Sequence, residues 1–515
     1  MACSKYLLGI DVGTYSTKTC LWSIDGILVS AARSEYGVNH PQPLWAEQDP
    51  EVWWKACTQT TREVMEKAGL GAPNISGIGL SAYVPPLVAL DQRGDVLRPA
   101  IMSFDQRSLP QAERLRDRAG REIFETTGNR VAPGAFSSTS MAWLKEEEPE
   151  VFTRVHKFVH ANGYIAHRLT GRFSMDYSNA SMTLLFDVAK KTWSERLCDA
   201  VGVPIEKLPE PVGSWEVVGG LTTEAAVNLG LGGGGEGVPV VAGGNDSACS
   251  MLGAGVVEPG MVFESMGSSI VFAYVSERPV SDERLMNRCH VVPDRWISLA
   301  GMNTPGACYR WFREEFGGAE KIVAERLGID AYSLLDKEAD DSPPGAHGLV
   351  FLPYFSGERS PIWNSDARGV FFGLTLSHRR ADLIRAILEG GAYAVLDNME
   401  ALAEKGLRIG EVTLAGGGAN SGTWRRIMAD VIGAPLRLAS TVETATLGAA
   451  ILAGCGAGLY RDPRTASKEL SSSSEVEKPR MEEHERYSAR FRLFKKVYEC
   501  LLPCYTLART LERGA

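Results

Sequence analysis

Short apolar runs and longer amphipathic stretches alternate along this chain of 515 residues. The runs Lys5–Ile10 and Ile75–Leu80 have the length and side-chain types of buried strands. Glu51–Ala68 and Asp382–Lys405 are instead helical in pattern, and Gly406 follows the second of them where a helix would end. The pattern predicts an α/β fold, and the length predicts two or three domains.

Composition and charge narrow the class of protein. Hydrophobic residues make up 44% and charged residues 23% of the chain, which is ordinary for a globular protein. The net charge of −9 argues against a nucleic-acid partner. No apolar run approaches the roughly 20 residues of a membrane-spanning helix, and the N-terminus lacks the pattern of a signal peptide. The ten cysteines are scattered, without CxxC or zinc-ligand spacing, which predicts reduced thiols in a cytoplasmic protein.

The segment Val238–Ser247 is the strongest candidate for chemistry. Its apolar residues predict a short central strand that runs into a Gly-Gly turn and then presents Asn245 and Asp246. Ligands of α/β sheets usually bind at the carboxyl ends of strands, so Asp246 is predicted to be a catalytic base. The alternative is that Asp246 only caps the helix that follows.

Two predicted hairpins have small polar tips. In the first, Asp11–Lys18 reads DVGTYSTK directly after an apolar strand, and its backbone amides and hydroxyls could hold phosphate. This pattern resembles the first phosphate loop of the superfamily that contains actin, heat-shock chaperone ATPases and sugar kinases; an ordinary decorated hairpin is the alternative. Gly260–Phe272 predicts a second hairpin of the same kind. No GxxxxGK[ST] occurs, so a P-loop is excluded.

Several longer strings resemble one family in particular. WAEQDPEVWW begins at Trp45, SGERSP begins at Ser356 and GVFFGL begins at Gly369. Together with the Gly-rich turn GGGANS from Gly416, they are similar to the FGGY carbohydrate kinases, and most similar to the xylulokinase-like branch. The resemblance covers roughly residues 5–458.

The resemblance implies two actin-like (ribonuclease H-like) domains with a central cleft. Residues 1–252 would bind sugar, residues 253–460 would bind ATP, and residues 461–515 would form a linker and a C-terminal helix. That helix would pack on a domain or on the partner subunit of a homodimer. The implied reaction transfers the γ-phosphoryl group of ATP, with Mg²⁺, to a hydroxyl of a small sugar, a pentulose such as xylulose or a related ketose. A polyol kinase of the glycerol or erythritol type and a non-catalytic actin-like sugar sensor are the alternatives.

The resemblance also implies roles for individual residues. Asp246 would be the base, and it would share Mg²⁺ with Asp11. The residues implied to contact substrate are Asp105, Tyr83, Val84 and Asn245. Those implied to line ATP are Asp11, Gly13, Thr14, Lys18, Gly267, Ser268, Gly306, Gly417, Gly418 and Asn420. Relatives often have Trp at Ser103 and Gln-Met-His-Gly at Tyr83–Pro86; these departures leave open which sugar, and which hydroxyl, is phosphorylated.

Two further expectations concern the second half of the chain. Gly390 and Gly391 in the middle of a predicted helix should each cost about 1 kcal/mol relative to Ala. That cost predicts close approach of another backbone or of a ligand, with a simple kink as the alternative. Arg461–Lys478 is rich in Ser, Lys and Glu, which predicts a mobile linker.

Overall fold

A computed structural model describes residues 5–471 and 476–513. Its contacts divide the chain into two compact units, each discontinuous in sequence. The first unit comprises Met1–Pro259, Val275–Ser298 and Glu443–Ser472; the second comprises Gly260–Tyr274, Leu299–Val442 and Ser473–Ala515. No helix among the described residues has both the length and the apolar character needed to cross a membrane.

The strands are listed in chain order: β1 (Tyr6–Val12), β2 (Ser16–Ser23), β3 (Leu28–Glu35), β4 (Glu47–Gln48), β5 (Ile75–Ala82), β6 (Val88–Leu90), β7 (Ala100–Ile101), β8 (Lys157–Val159), β9 (Met175–Asp176), β10 (Phe186–Asp187), β11 (Thr192–Trp193), β12 (Pro211–Val212), β13 (Val217–Gly220), β14 (Pro239–Val241), β15 (Gly244–Asn245), β16 (Met261–Met266), β17 (Ile270–Ser276), β18 (Met286–Cys289), β19 (Trp296–Met302), β20 (Val350–Leu352), β21 (Val370–Phe372), β22 (Glu411–Ala415), β23 (Leu436–Leu438) and β24 (Val476–Glu477). The α-helices are α1 (Pro50–Ala68), α2 (Leu109–Thr127), α3 (Ser137–Glu147), α4 (Pro149–Arg154), α5 (Ala161–Thr170), α6 (Tyr177–Ala180), α7 (Glu195–Val201), α8 (Thr223–Asn228), α9 (Asp246–Gly253), α10 (Pro305–Phe316), α11 (Gly318–Leu327), α12 (Ala331–Asp340), α13 (Arg380–Ala403), α14 (Gly422–Ile432), α15 (Thr444–Gly456), α16 (Pro463–Leu470) and α17 (Met481–Arg513).

The first unit is built on a mixed sheet. Its strand order is β13, β14, β5, β1, β2, β3, with β15 also beside β5. The predicted first hairpin is confirmed, since β1 pairs antiparallel with β2, and β1 also runs parallel to β5. Helix α15 packs so closely on this sheet that a side chain at Gly79 would overlap the carbonyl oxygen of Ala449. Glycine is therefore required where helix and sheet meet.

The second unit repeats this arrangement. Its main sheet runs in the order β19, β17, β16, β22, β23, β24. The predicted second hairpin is confirmed: β16 pairs antiparallel with β17 and parallel with β22, as β1 does with β2 and β5. A hairpin followed by a parallel strand thus occurs once in each unit, which is the duplication that an actin-like fold requires.

The long helix α13 confirms the prediction made from its two central glycines. A side chain at Gly390 would overlap the carbonyl oxygen of Phe351, and one at Gly391 would press against Trp424. The glycines thus admit a neighbouring backbone and an indole ring, which explains why the helix accepts their low intrinsic propensity.

The prediction of a mobile linker over Arg461–Lys478 is wrong for its central part, which forms α16. Asp462 caps this helix by accepting from the backbone N–H of Thr465 at 2.8 Å, and Pro463 follows as its first residue. Ser467 is buried and donates to the carbonyl oxygen of Leu252. The composition suggested disorder, but these long-range contacts order the segment; residues 472–475 of the predicted linker lie outside the described residues.

Candidate active site

The predicted central segment ends in an N-capped helix, and the cap is Asn245. Its Oδ1 accepts from the backbone N–H of Ala248 at 2.9 Å and from the Ser247 hydroxyl at 2.8 Å. Its amide nitrogen donates to the carbonyl oxygen of Ser178 at 3.3 Å, and the residue is fully buried. The alternative in which Asp246 serves as the cap is therefore wrong, because Asn245 fills that position.

Asp246 is the first residue of α9, and its side chain is largely uncommitted. It is partly exposed, and one carboxylate oxygen accepts from the backbone N–H of Ser247 at 2.6 Å. Burial raises the pKa of Asp246, whereas the Ser247 N–H and the positive charge of Arg288 act in the opposite direction. Burial therefore makes this partly accessible carboxylate more basic, which favours the role of a general base.

A second carboxylate, Asp11, lies within electrostatic range of Asp246. It accepts from the Ser81 hydroxyl at 2.7 Å, and it stands opposite Lys18 in the β1–β2 ladder. Burial raises the pKa of Asp11 to about 7; the Ser81 hydrogen bond lowers it, and the charge of Asp246 raises it further. Two neighbouring acidic groups with raised pKa values are a common feature of functional sites.

Lys18 has a partner that sequence reasoning missed. Its ammonium group lies 2.7 and 2.9 Å from the two carboxylate oxygens of Glu443, which immediately precedes α15. Because 425 positions separate the two residues, no local pattern could have indicated the pair. The predicted phosphate-binding lysine is thus held at the site by a salt bridge.

The tip of the first hairpin is fixed by hydrogen bonds to its backbone. The amide of Gly13 donates to Ser16 at 2.9 Å, and its carbonyl oxygen accepts from the Tyr36 hydroxyl at 2.8 Å. The carbonyl oxygen of Thr14 accepts from the Gln48 side chain at 3.1 Å. The hydrogen bonds from Tyr36 and Gln48 come from outside the loop. Together with the Gly13–Ser16 bond inside it, they fix the turn that was predicted to line phosphate.

The other residues predicted to bind sugar make contacts within the protein. Asp105 is 1% exposed and forms a bidentate ion pair with Arg107 at 2.8 and 2.9 Å, while the backbone N–H of Ala46 donates to it at 2.6 Å. Tyr83 is buried and donates to Gln48 at 3.3 Å, and Val84 beside it is half-buried. Both oxygens of Asp105 therefore already have partners.

The second unit contains a cavity of about 370 Å³ that is lined by four separate segments. They are the tip of the β16–β17 hairpin, the start of α10, the start of α12 with Asp330 before it, and the Gly-rich turn that leads into α14. Six of the residues predicted to contact ATP line it: Gly267, Ser268, Gly306, Gly417, Gly418 and Asn420. The tip is joined to α10 because Ala307 N–H donates to the Ser268 carbonyl oxygen at 2.8 Å.

Other residues of this cavity were not predicted. Tyr309 donates its hydroxyl proton to Asp336 at 2.8 Å, and Trp424 lies edge-on to Tyr309. Burial raises the pKa of Asp336. Tyr309 follows Gly306 by one helical turn, so the predicted helix could have indicated it, whereas Asp336 lies in α12 without any local signal. The cavity combines aromatic rings, a carboxylate and accessible backbone groups, a mixture of apolar and polar lining that is typical of small-molecule sites.

A larger cavity of about 580 Å³ lies in the first unit, near Trp54 and Arg168. None of the residues predicted for catalysis, substrate or ATP lines it. The smaller cavity is therefore the better candidate for a ligand site, because size alone does not indicate chemistry.

The fold and these two groups of residues define an actin-like phosphotransferase, and comparison with known proteins identifies the family. The model for the N-terminal domain of the FGGY family of carbohydrate kinases matches residues 6–253, and that for the C-terminal domain matches residues 262–457. The chain therefore belongs to the FGGY family of carbohydrate kinases. It is an ATP-dependent phosphotransferase with an alcohol group of a sugar as acceptor.

Individual relatives span almost the whole chain. Xylulose kinase of Escherichia coli (strain K12) is 34% identical over 503 residues, covering 96% of this chain and 99% of that protein. Gluconokinase of Bacillus subtilis (strain 168) is 32% identical over 520 residues, covering 99% of each. The crystal structure of xylulose kinase from Rhodospirillum rubrum matches with a TM-score of 0.88 at 31% identity, covering 98% of this chain and 100% of that one. These matches confirm the predicted two-domain actin-like fold.

Proposed function

We propose that Asp246 accepts the proton of the sugar hydroxyl as that oxygen attacks the γ-phosphorus of ATP. The observation that carries this assignment is that Asn245, and not Asp246, caps α9. Because the buried Asn245 fills the cap position, the neighbouring carboxylate of Asp246 remains available. A base at this point needs only hydrogen-bond reach of the acceptor hydroxyl, since phosphoryl transfer depends mainly on positioning and charge neutralisation. Asn245 then acts by fixing the first turn of the helix.

The cavity of the second unit is the proposed nucleotide site. Its glycines leave backbone groups accessible, and the amides near Gly267 and Ser268 suit phosphate oxygens. Trp424 and Tyr309 offer ring faces and edges for the base, and Asp336 offers an acceptor for an exocyclic amine. In the first unit we assign phosphate contacts to Gly13, Thr14 and Lys18.

We assign Mg²⁺ to Asp11 and Asp246. Among residues 5–471 and 476–513, no group of three or more His, Cys, Asp or Glu side chains is arranged to hold a metal ion. Mg²⁺ in kinases is commonly held by one or two carboxylates together with phosphates and water, so this pair fits its preference. When bound, the ion neutralises phosphate charge. Asp11 is held in place for this role by Ser81.

The acceptor is proposed to be a small open-chain sugar. The relatives include proteins named for xylulose, a neutral ketose, and for gluconate, a sugar acid. Since Asp105 and Tyr83 are buried and engaged with other residues, we assign them to shaping the pocket, together with Val84.

The test is acceptor-dependent release of ADP from Mg-ATP, measured over a panel of ketoses, polyols and sugar acids, with ³¹P NMR of the product. We expect a phosphate monoester of one acceptor class, formed in equal amount to ADP. ADP release that no acceptor stimulates would contradict the proposal and favour a non-catalytic sugar sensor.

We also propose a cytoplasmic location and a homodimer. The cysteines of the described residues are free thiols, which supports a reducing compartment such as the cytoplasm. A homodimer is retained as a proposal, to be tested by light scattering of the purified protein.

A further inference from the structure

The guanidinium group of Arg288 is buried without a matching anion. The residue lies in β18 and is 4% exposed. Within the described residues its single hydrogen-bond acceptor is the Ser247 hydroxyl, 3.2 Å from Nη1, and its Nε has no acceptor. A guanidinium has five N–H donors, and leaving buried donors unpaired is unfavourable. Arg288 therefore has buried N–H donors for which the described residues supply no acceptor, and a bound ligand could supply one.

Two other buried or half-buried arginines of the first unit each form a bidentate ion pair with a carboxylate. Arg284, in the same segment of chain, makes a bidentate contact with Asp282 at 2.9 and 2.8 Å. Arg107 contacts Asp105 in the same way. Among the described residues no carboxylate lies within ion-pair distance of Arg288, which distinguishes it from Arg284 and Arg107.

Arg288 adjoins the residue assigned as the base. Ser247, which accepts from Arg288, follows Asp246 directly and donates to the cap residue Asn245 at 2.8 Å. Burial lowers the pKa of Arg288 to about 10, and the charge of Asp246 raises it. The group is therefore still positively charged at neutral pH, next to the partly exposed first turn of α9.

We infer that Arg288 is a specificity-determining residue that binds a carboxylate carried by the sugar acceptor. The planar fork of a guanidinium matches a carboxylate in a bidentate contact, and such charge-assisted hydrogen bonds are strongest where water is excluded. The inference rests on the proposed function, because it places the acceptor beside Asp246. Of the two acceptor classes, it selects the sugar acid over the neutral ketose.

Arg288 could instead bind a different anionic group, the phosphoryl group that is being transferred. The following experiment distinguishes that group from a carboxylate of the acceptor. Initial rates are measured for gluconate, xylonate, xylulose and xylitol with the wild-type protein, Arg288→Gln and Arg288→Lys. Arg284→Gln is the matched control, since Arg284 lies in the same segment and has its own carboxylate. Direct binding of gluconate to each protein is measured by calorimetry in the absence of ATP.

We expect the wild type to prefer a sugar acid by at least about tenfold in kcat/KM. Arg288→Gln should raise the KM and the Kd for that acid by about 30-fold, with kcat and the rates on neutral acceptors within about threefold of wild type. Arg288→Lys should recover part of the affinity, and Arg284→Gln should match wild type.

Four results would overturn the inference. A fall in kcat on every acceptor, with KM unchanged, would assign Arg288 to the phosphoryl group. An equal loss on every acceptor together with a shifted pH–rate profile would make it a positioning residue for Asp246. A wild type that turns over neutral sugars and binds no sugar acid would refute the carboxylate while leaving the proposed kinase intact, whereas absence of turnover on every acceptor would refute both.

Discussion

Asn245 and Asp246 are adjacent, and both residue types can cap a helix, yet in the structure Asn245 is the cap of α9. The sequence left open whether Asp246 is a base or a cap and did not indicate Asn245 as the cap, because Asn and Asp are favoured nearly equally at this position. The choice is made by the Ser178 backbone, which holds the Asn245 side chain from a distant part of the chain. Long-range contacts of this kind are what a single sequence does not reveal.

Asn245→Ala should lower the free energy of unfolding by about 1–3 kcal/mol, because it removes a cap and leaves the buried Ser178 carbonyl and Ser247 hydroxyl with fewer partners. Asp246→Asn should leave that free energy within about 1 kcal/mol of wild type, since an amide is no more costly to bury than a carboxylate whose pKa burial raises. Urea denaturation of both variants measures the difference. Equal losses would contradict the division of roles.

Glu264 is a buried carboxyl group in β16, and within residues 5–471 and 476–513 neither of its oxygens has a hydrogen-bond partner. Burial raises its pKa from 4.5 to about 8. Between these two pH values the folded protein keeps a proton that the unfolded chain releases. The contribution of Glu264 to the free energy of unfolding is therefore greatest below about pH 4.5 and falls as the pH rises toward about 8. The slope from this one group is roughly −1.4 kcal/mol per pH unit within that window.

Glu264→Gln should remove this contribution. The variant should lose less stability than wild type between pH 5.5 and 7.5, and it should be the more stable protein at pH 8. Urea denaturation at several pH values measures both curves. Parallel curves would show that the Glu264 carboxyl is not protonated in the folded protein.

Among the elements, those set by local patterns were predicted well. The predicted helix Glu51–Ala68 is confirmed as α1, which begins after Asp49, whose side chain accepts from Glu51 N–H at 3.0 Å. Both hairpins are confirmed because strand alternation and small polar tips are local signals. Helix α16 was missed because its order comes from distant residues such as Leu252, and the same reason hid the partner of Lys18.

Helix α17 is held to α13 of the second unit by a buried hydrogen-bond network. Arg385 donates to Glu389 at 2.8 Å and to the hydroxyl of Tyr487 at 2.9 Å, and that hydroxyl donates to Glu389 at 2.8 Å. Arg385 and Glu389 of α13 therefore hold α17 in place.

Tyr487→Phe should lower the free energy of unfolding by about 1–3 kcal/mol, because it leaves buried charged groups short of a partner. Tyr498→Phe, on the same helix and half-buried, is the control and should cost less than about 1 kcal/mol. Thermal unfolding of both variants makes the comparison. Equal effects would argue against the network as the anchor of the helix.

For the whole molecule, two duplicated units were predicted, and the family and fold are confirmed. What sequence did not indicate is that each unit is discontinuous: Glu443–Ser472 belongs with the first unit, although it follows the whole C-terminal motif region. The linear domain limits at 252 and 460 stay a prediction. Of the cavity proposed to bind nucleotide, the sequence indicated the glycines, because Gly-rich turns are a local signal. It did not indicate Asp336, which has no local signal within its helix.

Nucleotide binding should be separable from folding at Gly417. A side chain there would meet open space, so Gly417→Val should leave the Tm without nucleotide nearly unchanged while it fills part of the cavity. ADP at about 100 times its Kd should stabilise the wild type by about 2.7 kcal/mol and the variant by much less. Gly318→Val, also in open space and outside the cavity, is the control. A full ADP shift in Gly417→Val would contradict the nucleotide site.

The most direct test of the central claim compares kcat and ATP affinity for wild type and Asp246→Asn in the same buffer and with the best acceptor. We predict a fall in kcat of roughly 10²–10⁴-fold, the usual contribution of a general base, with the Kd for ATP within about threefold of wild type. Turnover that survives in Asp246→Asn at near wild-type rate would contradict the assignment of Asp246 and the mechanism built on it.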